Sequence, residues 1–486
     1  MHPLRRLFSQ TAIYGLSSIL GRFLNYLLVP LYTYTFAAEE YGVVSEFYAY
    51  AGFFAVILVW GLETGYFRFR RQKDVDANRV YAGALGFLLL ANLGFVAAVA
   101  WFHPLLADWL HYADHPEYLL WFAAILAMDA VTALPFAKLR AENRAWRFAG
   151  IKLTEIFVNL ALNLFFLWYC RQWRHDIGTP WYDPAIGIGY IFIANLAASA
   201  VKWLLLLSEF RNVRLQLDPR ILKPMLAYSL PMVIIGLAGM VNEMLDRAIL
   251  KYLLPYDLAT NLKMLGIYGA CYKLSILMSL FIQAFRYAGE PFFFAYAGRE
   301  DAKQAYRVVM DYFVIFCVFI FLLVTLYIDG FQYFIGAEYR VGLPVVPILL
   351  LANLCLGIYV NLSIWYKLSD RTGLGAWVSV GGAALTVVLN LWWIPLWGYT
   401  GSAWATLACY AGMAVVSYAL GQRYYPVAYD LKTIGGYPAL GLAIYAAHQY
   451  AVSVAGWASW LSGTLGLLIY VLASVTERYA RRMVKS

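Results

Sequence analysis

The sequence predicts an all-α polytopic membrane protein of about fourteen transmembrane helices. Three observations carry this. Of 486 residues, 63% are hydrophobic and only 13% charged, with a mean hydropathy of +0.63, where a soluble chain of this length carries nearer ~25% charged residues. Apolar runs of about twenty residues, enough to cross a bilayer as helix, recur from end to end. Basic residues then alternate in density from one inter-run segment to the next.

The runs lie at 9–36, 43–67, 80–103, 116–138, 147–170, 185–208, 225–254, 265–290, 305–328, 342–367, 374–396, 398–420, 433–451 and 457–476. The first follows a short basic start. It is too long for a signal-peptide core and lacks an A-x-A cleavage site, so it is expected to remain as a span. The basic ends and loops are Arg5/Arg6, 68–79, 138–147, 211–223, 299–307, 367–371, 423–432 and 478–485. They hold about 26 of the basic residues, the opposite loops about 5, and the spans about 6. Both termini are therefore expected in the cytoplasm, with an even number of spans. This asymmetry accounts for the net charge of +9, so no nucleic-acid partner is expected. The other loops are short, the longest running from about Arg171 to Pro184, and no soluble domain is expected. Cys170, Cys271, Cys317, Cys355 and Cys409 lie singly in or beside apolar segments and read as small core residues. Tyr and Trp cluster partly at span ends, as aromatic belts do.

The seventh span, Pro231 to Pro255, carries Asn242, Glu243, Asp246, Arg247 and Lys251. A charge near a bilayer centre costs roughly 2.5–3.5 kcal/mol on insertion scales, so several together need a compensating role. At ~100° per residue, Gly236, Gly239, Glu243, Asp246 and Arg247 share one face. Glu243 and Arg247 stand at i,i+4, the spacing of a helical ion pair. Span 1 presents Thr11, Gly15, Ser18, Arg22, Asn25 and Tyr26 on one side. Span 8 presents Tyr268, Tyr272, Ser275, Ser279, Gln283, Arg286 and Glu290. A single polar face can be a packing seam, whereas three favour a shared aqueous cavity. Glu63 ends span 2 amid aromatics, and Asp129 is a lone acid within span 4. These acids, with Glu243, Asp246 and Glu290, are the candidates for charge pairing or for coupling to a proton or sodium ion. A helix-packing hydrogen bond is an equal reading of Asp129. His111 and His115, with Asp108 and Asp114, read as a solvated polar loop, and no metal is expected.

The two halves echo one another. Arg22 and Arg247 each stand eight residues before a proline, Pro30 and Pro255, and Gly42–Tyr48 repeats the spacing of Gly266–Tyr272. Weak similarity between halves is what transporters built from repeats show.

In YGLSSILGRFLNYLLVPLYTYTF followed by Glu40-Tyr41-Gly42, in the GLETGYFRF end of span 2, in Asp246-Arg247 with Gly266-Ile267-Tyr268, and in Asn390-x4-Pro395-x2-Gly398-x2-Gly401-x-Ala403-x2-Thr406, the chain resembles the oligosaccharide flippase (polysaccharide transporter) family. That family belongs to a superfamily that includes multidrug-extruding MATE proteins and the lipid II flippase. The resemblance implies a V-shaped molecule of two pseudo-symmetric six-helix lobes, residues 1–223 and 224–422, with two further helices and a tail at 423–486. It implies a cationic cavity lined by spans 1, 2, 7 and 8, with Arg22, Arg247 and Arg286 holding the pyrophosphate of an undecaprenyl-linked sugar, and Asn25, Asn242 and Gln283 beside them. Arginine suits that role because its planar fork pairs bidentately with phosphate oxygens and stays charged. The nearby acids depart from the pattern and leave room for a cation-coupling site.

The function so implied is alternating-access translocation of a lipid-linked oligosaccharide across the bacterial cytoplasmic membrane, for O-antigen, capsule or exopolysaccharide assembly. The expected partners are that substrate, membrane lipids and glycan-polymerising membrane proteins, with the chain a monomer. No cofactor is expected, and the chain is not expected to be an enzyme. The rivals are a MATE-like, cation-coupled exporter of small amphipathic molecules, whose cavity would be mainly acidic or apolar, and a membrane glycan polymerase or ligase, which would need a large external catalytic loop. Physically, Pro395 and Gly398 predict a short turn, with Gly401, Ala405 and Cys409 offering small residues for close packing.

Overall fold

The computed structural model describes residues 15, 17, 19–72, 75–173, 182–211, 213 and 217–483, with only the backbone given at 288, 291, 295 and 478–483. Among these residues there is no strand. The principal helices are α1 (Leu28–Thr35), α2 (Ala38–Val59), α3 (Leu62–Phe69), α4 (Ala77–Trp109), α5 (Glu117–Ala141), α6 (Ala145–Asn163), α7 (Gly189–Phe210) and α8 (Pro219–Leu253). They continue as α9 (Leu258–Leu274), α10 (Ile276–Tyr296), α11 (Ala302–Leu326), α12 (Val345–Leu362), α13 (Ile364–Leu368), α14 (Thr372–Tyr424), α15 (Leu431–Ser453) and α16 (Ser459–Met483).

Ten helical runs are long and apolar enough to cross a membrane, or up to eleven if α9 and α10, bent by 51° at Ser275, form one span. This falls short of the expected fourteen for identifiable reasons. Part of 9–36, including Thr11 and Ser18, lies outside the described residues. The expected spans 374–396 and 398–420 form one helical run, α14, broken only at Gly398 (φ 62°, ψ −147°). The helix α15 is present but is not among the ten, its sequence being diluted by Gly435, Gly436, Pro438, His448 and Gln449.

The chain forms two compact units, Met1–Ala248 and Ile249–Ser486. The division falls inside α8, downstream of the expected 223/224 boundary, and several residues of α8 before it lie against α2 and α3. Gly236 abuts Val56, Gly52 lies against Met240 and Met244, and Gly65 lies against Met225 and Ser229. Where α2 gives way to α3, Trp60 (φ 54°) and Gly61 (φ 62°) are both left-handed. A Cβ on Gly61 would stand 2.7 Å from the Ser229 carbonyl oxygen, so the position needs glycine for conformation and for space. Gly61→Ala is expected to lower stability by on the order of 2 kcal/mol, read as a lower melting temperature in detergent. Beneath this junction lies a core of Leu62, Tyr66, Leu85, Leu88, Leu134 and Met225.

In the second unit, α9 starts at Asp257, whose carboxylate accepts from the Thr260 backbone N–H at 3.0 Å and the Thr260 hydroxyl at 2.8 Å. The Thr260 N–H holds that carboxyl below the usual carboxylate range. The buried Asn261 amide donates to the carbonyls of Lys251, Leu254 and Tyr256 at 3.0, 2.9 and 3.2 Å, covering orphan carbonyls at the end of α8. The α14 hairpin is built as its motif predicts. Gly401 lies against the Trp393 backbone, Ala405 and Cys409 are fully buried, and the Ser402 hydroxyl donates to Asn390 Oδ1 at 2.9 Å. The last two helices pack on α11, as shown by the Tyr470 hydroxyl donating to the Ile315 carbonyl at 2.7 Å. They are part of the second unit.

Candidate functional site

The charged stretch of α8 belongs mainly to the first unit. Asn242, Asp246 and Arg247 are buried, with Asp246 4% and Arg247 6% exposed, whereas Glu243 is exposed. The ion pair differs from the one expected at i,i+4. Arg247 Nε donates to Asp246 Oδ1 at 3.2 Å, and the Arg247 backbone N–H donates to the same oxygen at 2.8 Å. The guanidinium also donates to the backbone carbonyl of Glu243, not to its carboxylate. The face divides for a packing reason: Gly236 and the Asp246–Arg247 pair turn inward, while a Cβ on Gly239 would meet nothing within 4 Å. Arg247 is thus a buried guanidinium paired with its chain neighbour Asp246.

Span 1 presents Arg22 and Asn25 exposed and Tyr26 buried. Arg22 makes no ion pair among the described residues. Asn25 Oδ1 accepts from Asn159 Nδ2 at 3.4 Å. From there a polar ladder runs inward, with Asn163 Nδ2 donating to Asn159 Oδ1 at 3.0 Å and the Tyr32 hydroxyl donating to Asn163 Oδ1 at 2.9 Å. The ladder ties span 1 to α6.

Asp129 is not a lone acid. Its Oδ1 accepts from Lys202 Nζ at 2.6 Å and from the Ser199 hydroxyl at 2.7 Å, both on α7. Lys202 Nζ also reaches Glu155 Oε1 of α6 at 2.6 Å, and Glu155 Oε2 accepts from Lys152 at 3.0 Å. The Lys202 side chain is only 3% exposed, that of Glu155 15% and that of Asp129 46%. One ammonium therefore joins two carboxylates across α5, α6 and α7, a helix-packing contact of the kind that was one of the two readings of Asp129.

Glu63 pairs with Arg140 of α5. At the same ends of α5 and α6, buried Glu209 of α7 is surrounded by Lys138, Arg144 and Arg147 at 3.1, 2.8 and 3.0 Å. The fully buried Glu46 of α2 accepts from the hydroxyls of Tyr50, at 2.5 Å, and Tyr112.

In the second unit, the expected stripe of span 8 does not form one face. Tyr268 and Ser275 are fully buried, and the break at Ser275 destroys helical register between the two ends. The Ser275 hydroxyl donates to the Tyr272 carbonyl at 2.7 Å and accepts from Asn353 at 3.2 Å. Beyond the break, Gln283 Oε1 is shielded and accepts no hydrogen bond among the described residues. The Arg286–Glu290 pair exists at 3.8 Å, but Lys367 of α13 holds the same carboxylate oxygen at 2.6 Å. Arg286, with a side chain 65% exposed, is left largely available.

Lys202, Glu155 and Lys367 are the residues missed by reading each span alone. A lysine inside the apolar AASAVKWLLLL of α7 was a visible signal, since intramembrane charges pair with one another. Among the described residues no group of three His, Cys, Asp or Glu side chains could hold a metal ion.

No family profile matches the chain, and no curated protein sequence matches it. Solved structures do. The chain is similar to the lipid II flippase MurJ in an inward closed conformation, with a TM-score of 0.71 and 13% identity over 96% of this chain and 99% of that one. It is similar to an inward-facing multidrug resistance MATE family transporter of the MOP superfamily, with a TM-score of 0.63 and 14% identity over 82% and 93% of the two chains. An outward-facing structure of such a transporter gives a TM-score of 0.60 and 14% identity over 85% and 94%. The chain therefore has the fold of MurJ and the MATE transporters, that of a polytopic membrane protein.

Proposed function

We propose that this chain is a flippase that carries a lipid-linked oligosaccharide, an undecaprenyl-pyrophosphate sugar, across the bacterial cytoplasmic membrane by alternating access. Both termini lie in the cytoplasm, and the product feeds O-antigen, capsule or exopolysaccharide assembly. The observation that carries this reading is Arg22, an exposed guanidinium in an apolar first span with no acid partner among the described residues. A charge so placed needs an anion or water to compensate it, and a pyrophosphate supplies the anion with oxygens matched to the guanidinium fork. Exposed Arg286 offers the same chemistry in the second unit, and a fold shared along nearly the whole length with a lipid II flippase supports the substrate class. Polar groups such as Asn25 accompany the headgroup, while the lipid tail stays in the bilayer. No step makes or breaks a covalent bond. A proton or sodium gradient drives the cycle, with Glu243, whose exposed carboxylate has no cation partner among the described residues, the best placed acid.

That same carboxylate favours a second reading, cation-coupled export of small amphipathic cations, to which the fold is equally suited. Proteoliposomes separate the two. The purified chain should move a fluorescent undecaprenyl-pyrophosphate oligosaccharide out of reach of a membrane-impermeant quencher. Movement of a small fluorescent cation with a stationary oligosaccharide would replace the flippase by the exporter. Transport that persists without ion gradients or membrane potential would remove the coupling role.

A further inference from the structure

A groove runs between the two arms of α14. It encloses about 370 Å³ and is lined by Leu374, Trp377 and Gly381 from one arm and Gly412, Val416 and Leu420 from the other. The lining is almost wholly apolar. Trp377 is 76% and Val416 47% exposed, so the groove opens outward from the helix pair. From residue 374 to 385 it extends ~16 Å at the helical rise of about 1.5 Å per residue. Because the arms double back at Gly398, Leu374 and Leu420 stand at the same end. Beyond them lie Arg371, which precedes the first arm as its N-cap, and Arg423, three residues past Leu420 and so on the same face of the second arm.

Those two arginines stack on one ring. The guanidinium carbon of Arg371 is 4.3 Å from the Tyr424 centroid, and that of Arg423 is 5.6 Å away. Both side chains are exposed, and neither makes an ion pair among the described residues, although Asp370 adjoins Arg371 in sequence. Elsewhere in this unit cations near the same loops have acids, Lys367 with Glu290 and Arg307 with Asp430. Two guanidinium forks near one aromatic ring, with no ion pair among the described residues, offer donors suited to a phosphate. An apolar groove leading away from it on a membrane-spanning pair forms a site for a hydrocarbon chain.

We infer that the α14 hairpin binds an anionic phospholipid of the bilayer, its phosphate on Arg371 and Arg423 and one acyl chain in the groove. The groove matches an acyl chain in reach, and the two arginines stand at the loop ends of the arms, where the phosphate of a lipid in that groove would lie. This inference stands apart from the transported substrate, since it needs only the second unit and the membrane.

The test is native mass spectrometry of the purified, delipidated full chain offered phosphatidylglycerol or phosphatidylcholine. At least tenfold more phosphatidylglycerol than phosphatidylcholine should be retained, and R371A/R423A should bring the two to parity without changing the melting temperature. Gly381→Leu fills the groove, because a Cβ there meets nothing within 4 Å, and it should release the retained phosphatidylglycerol while the arginines remain. Equal retention of both lipids by the unmodified chain, or phosphatidylglycerol retention unchanged in either variant, overturns the proposal. So does displacement by inorganic phosphate alone, or stronger retention of a polyprenyl phosphate than of phosphatidylglycerol.

Discussion

Replacing Lys202 by methionine is expected to destabilise the first unit by about 3 kcal/mol, toward the lower end of what breaking a buried ion pair costs. The loss is large because Lys202 Nζ lies 2.6 Å from both Asp129 and Glu155. Without it two carboxylates face each other inside a three-helix packing. It stays near the lower end because Glu155 keeps Lys152 at 3.0 Å, leaving Asp129 as the carboxylate that loses its cation. K202M/D129N/E155Q should restore most of the stability, since a neutral, well-packed replacement of a buried pair is often tolerated. The readout is the melting temperature in detergent. An unchanged melting temperature for Lys202→Met would show that the network does not hold α5, α6 and α7 together.

Arg22→Ala should produce the opposite signature, with transport lost and stability kept. Exposed and without an acid partner among the described residues, Arg22 supports no packing that its removal would undo, so the stability change should stay within about 0.5 kcal/mol. If it contacts the pyrophosphate, transport of the lipid-linked oligosaccharide should fall at least tenfold, equivalent to about 1.4 kcal/mol of binding. Arg22→Lys should fall between the two, keeping the charge but losing the bidentate fork. Arg247→Ala is expected to abolish transport too, but it also strands buried Asp246, so its loss of function is informative only beside a measured melting temperature. Normal surface-glycan assembly in cells carrying Arg22→Ala at normal protein levels would end the phosphate role.

These two residues also mark how far the sequence could be read. Charges inside apolar runs stand out one at a time, so Arg22, Arg247 and Asp129 were all visible. What a single span cannot reveal is the partner on another helix. Asp129 looked solitary because Lys202 lies on α7, beyond two intervening loops. Arg247 looked paired with Glu243 because helical spacing alone does not separate an i,i+4 carboxylate from an adjacent one that turns inward with it. The stripe of span 8 assumed an unbroken helix, and Ser275 carries none of the usual marks of a break. The Trp60–Gly61 junction likewise depends on the distant Ser229 carbonyl. By contrast, the Asn390–Thr406 hairpin was legible because its turn, its small residues and its contacts all lie within one local stretch. The membrane-spanning class was legible for a similar reason, composition and run length being properties of the segments themselves. The polar faces were not, because which face is buried is decided by the neighbouring helix.

The lysine bridge also bears on how the protein is made. Each of α5, α6 and α7 carries at least one charge that is costly to place in hydrocarbon alone, and the acids are synthesised first. When α7 emerges, Asp129 and the Lys152–Glu155 pair are already present to receive Lys202, so a helix unfavourable by itself enters the bilayer as the last member of a four-residue cluster without net charge. Biogenesis of this unit thus has a direction, with the lysine as the latch that closes it.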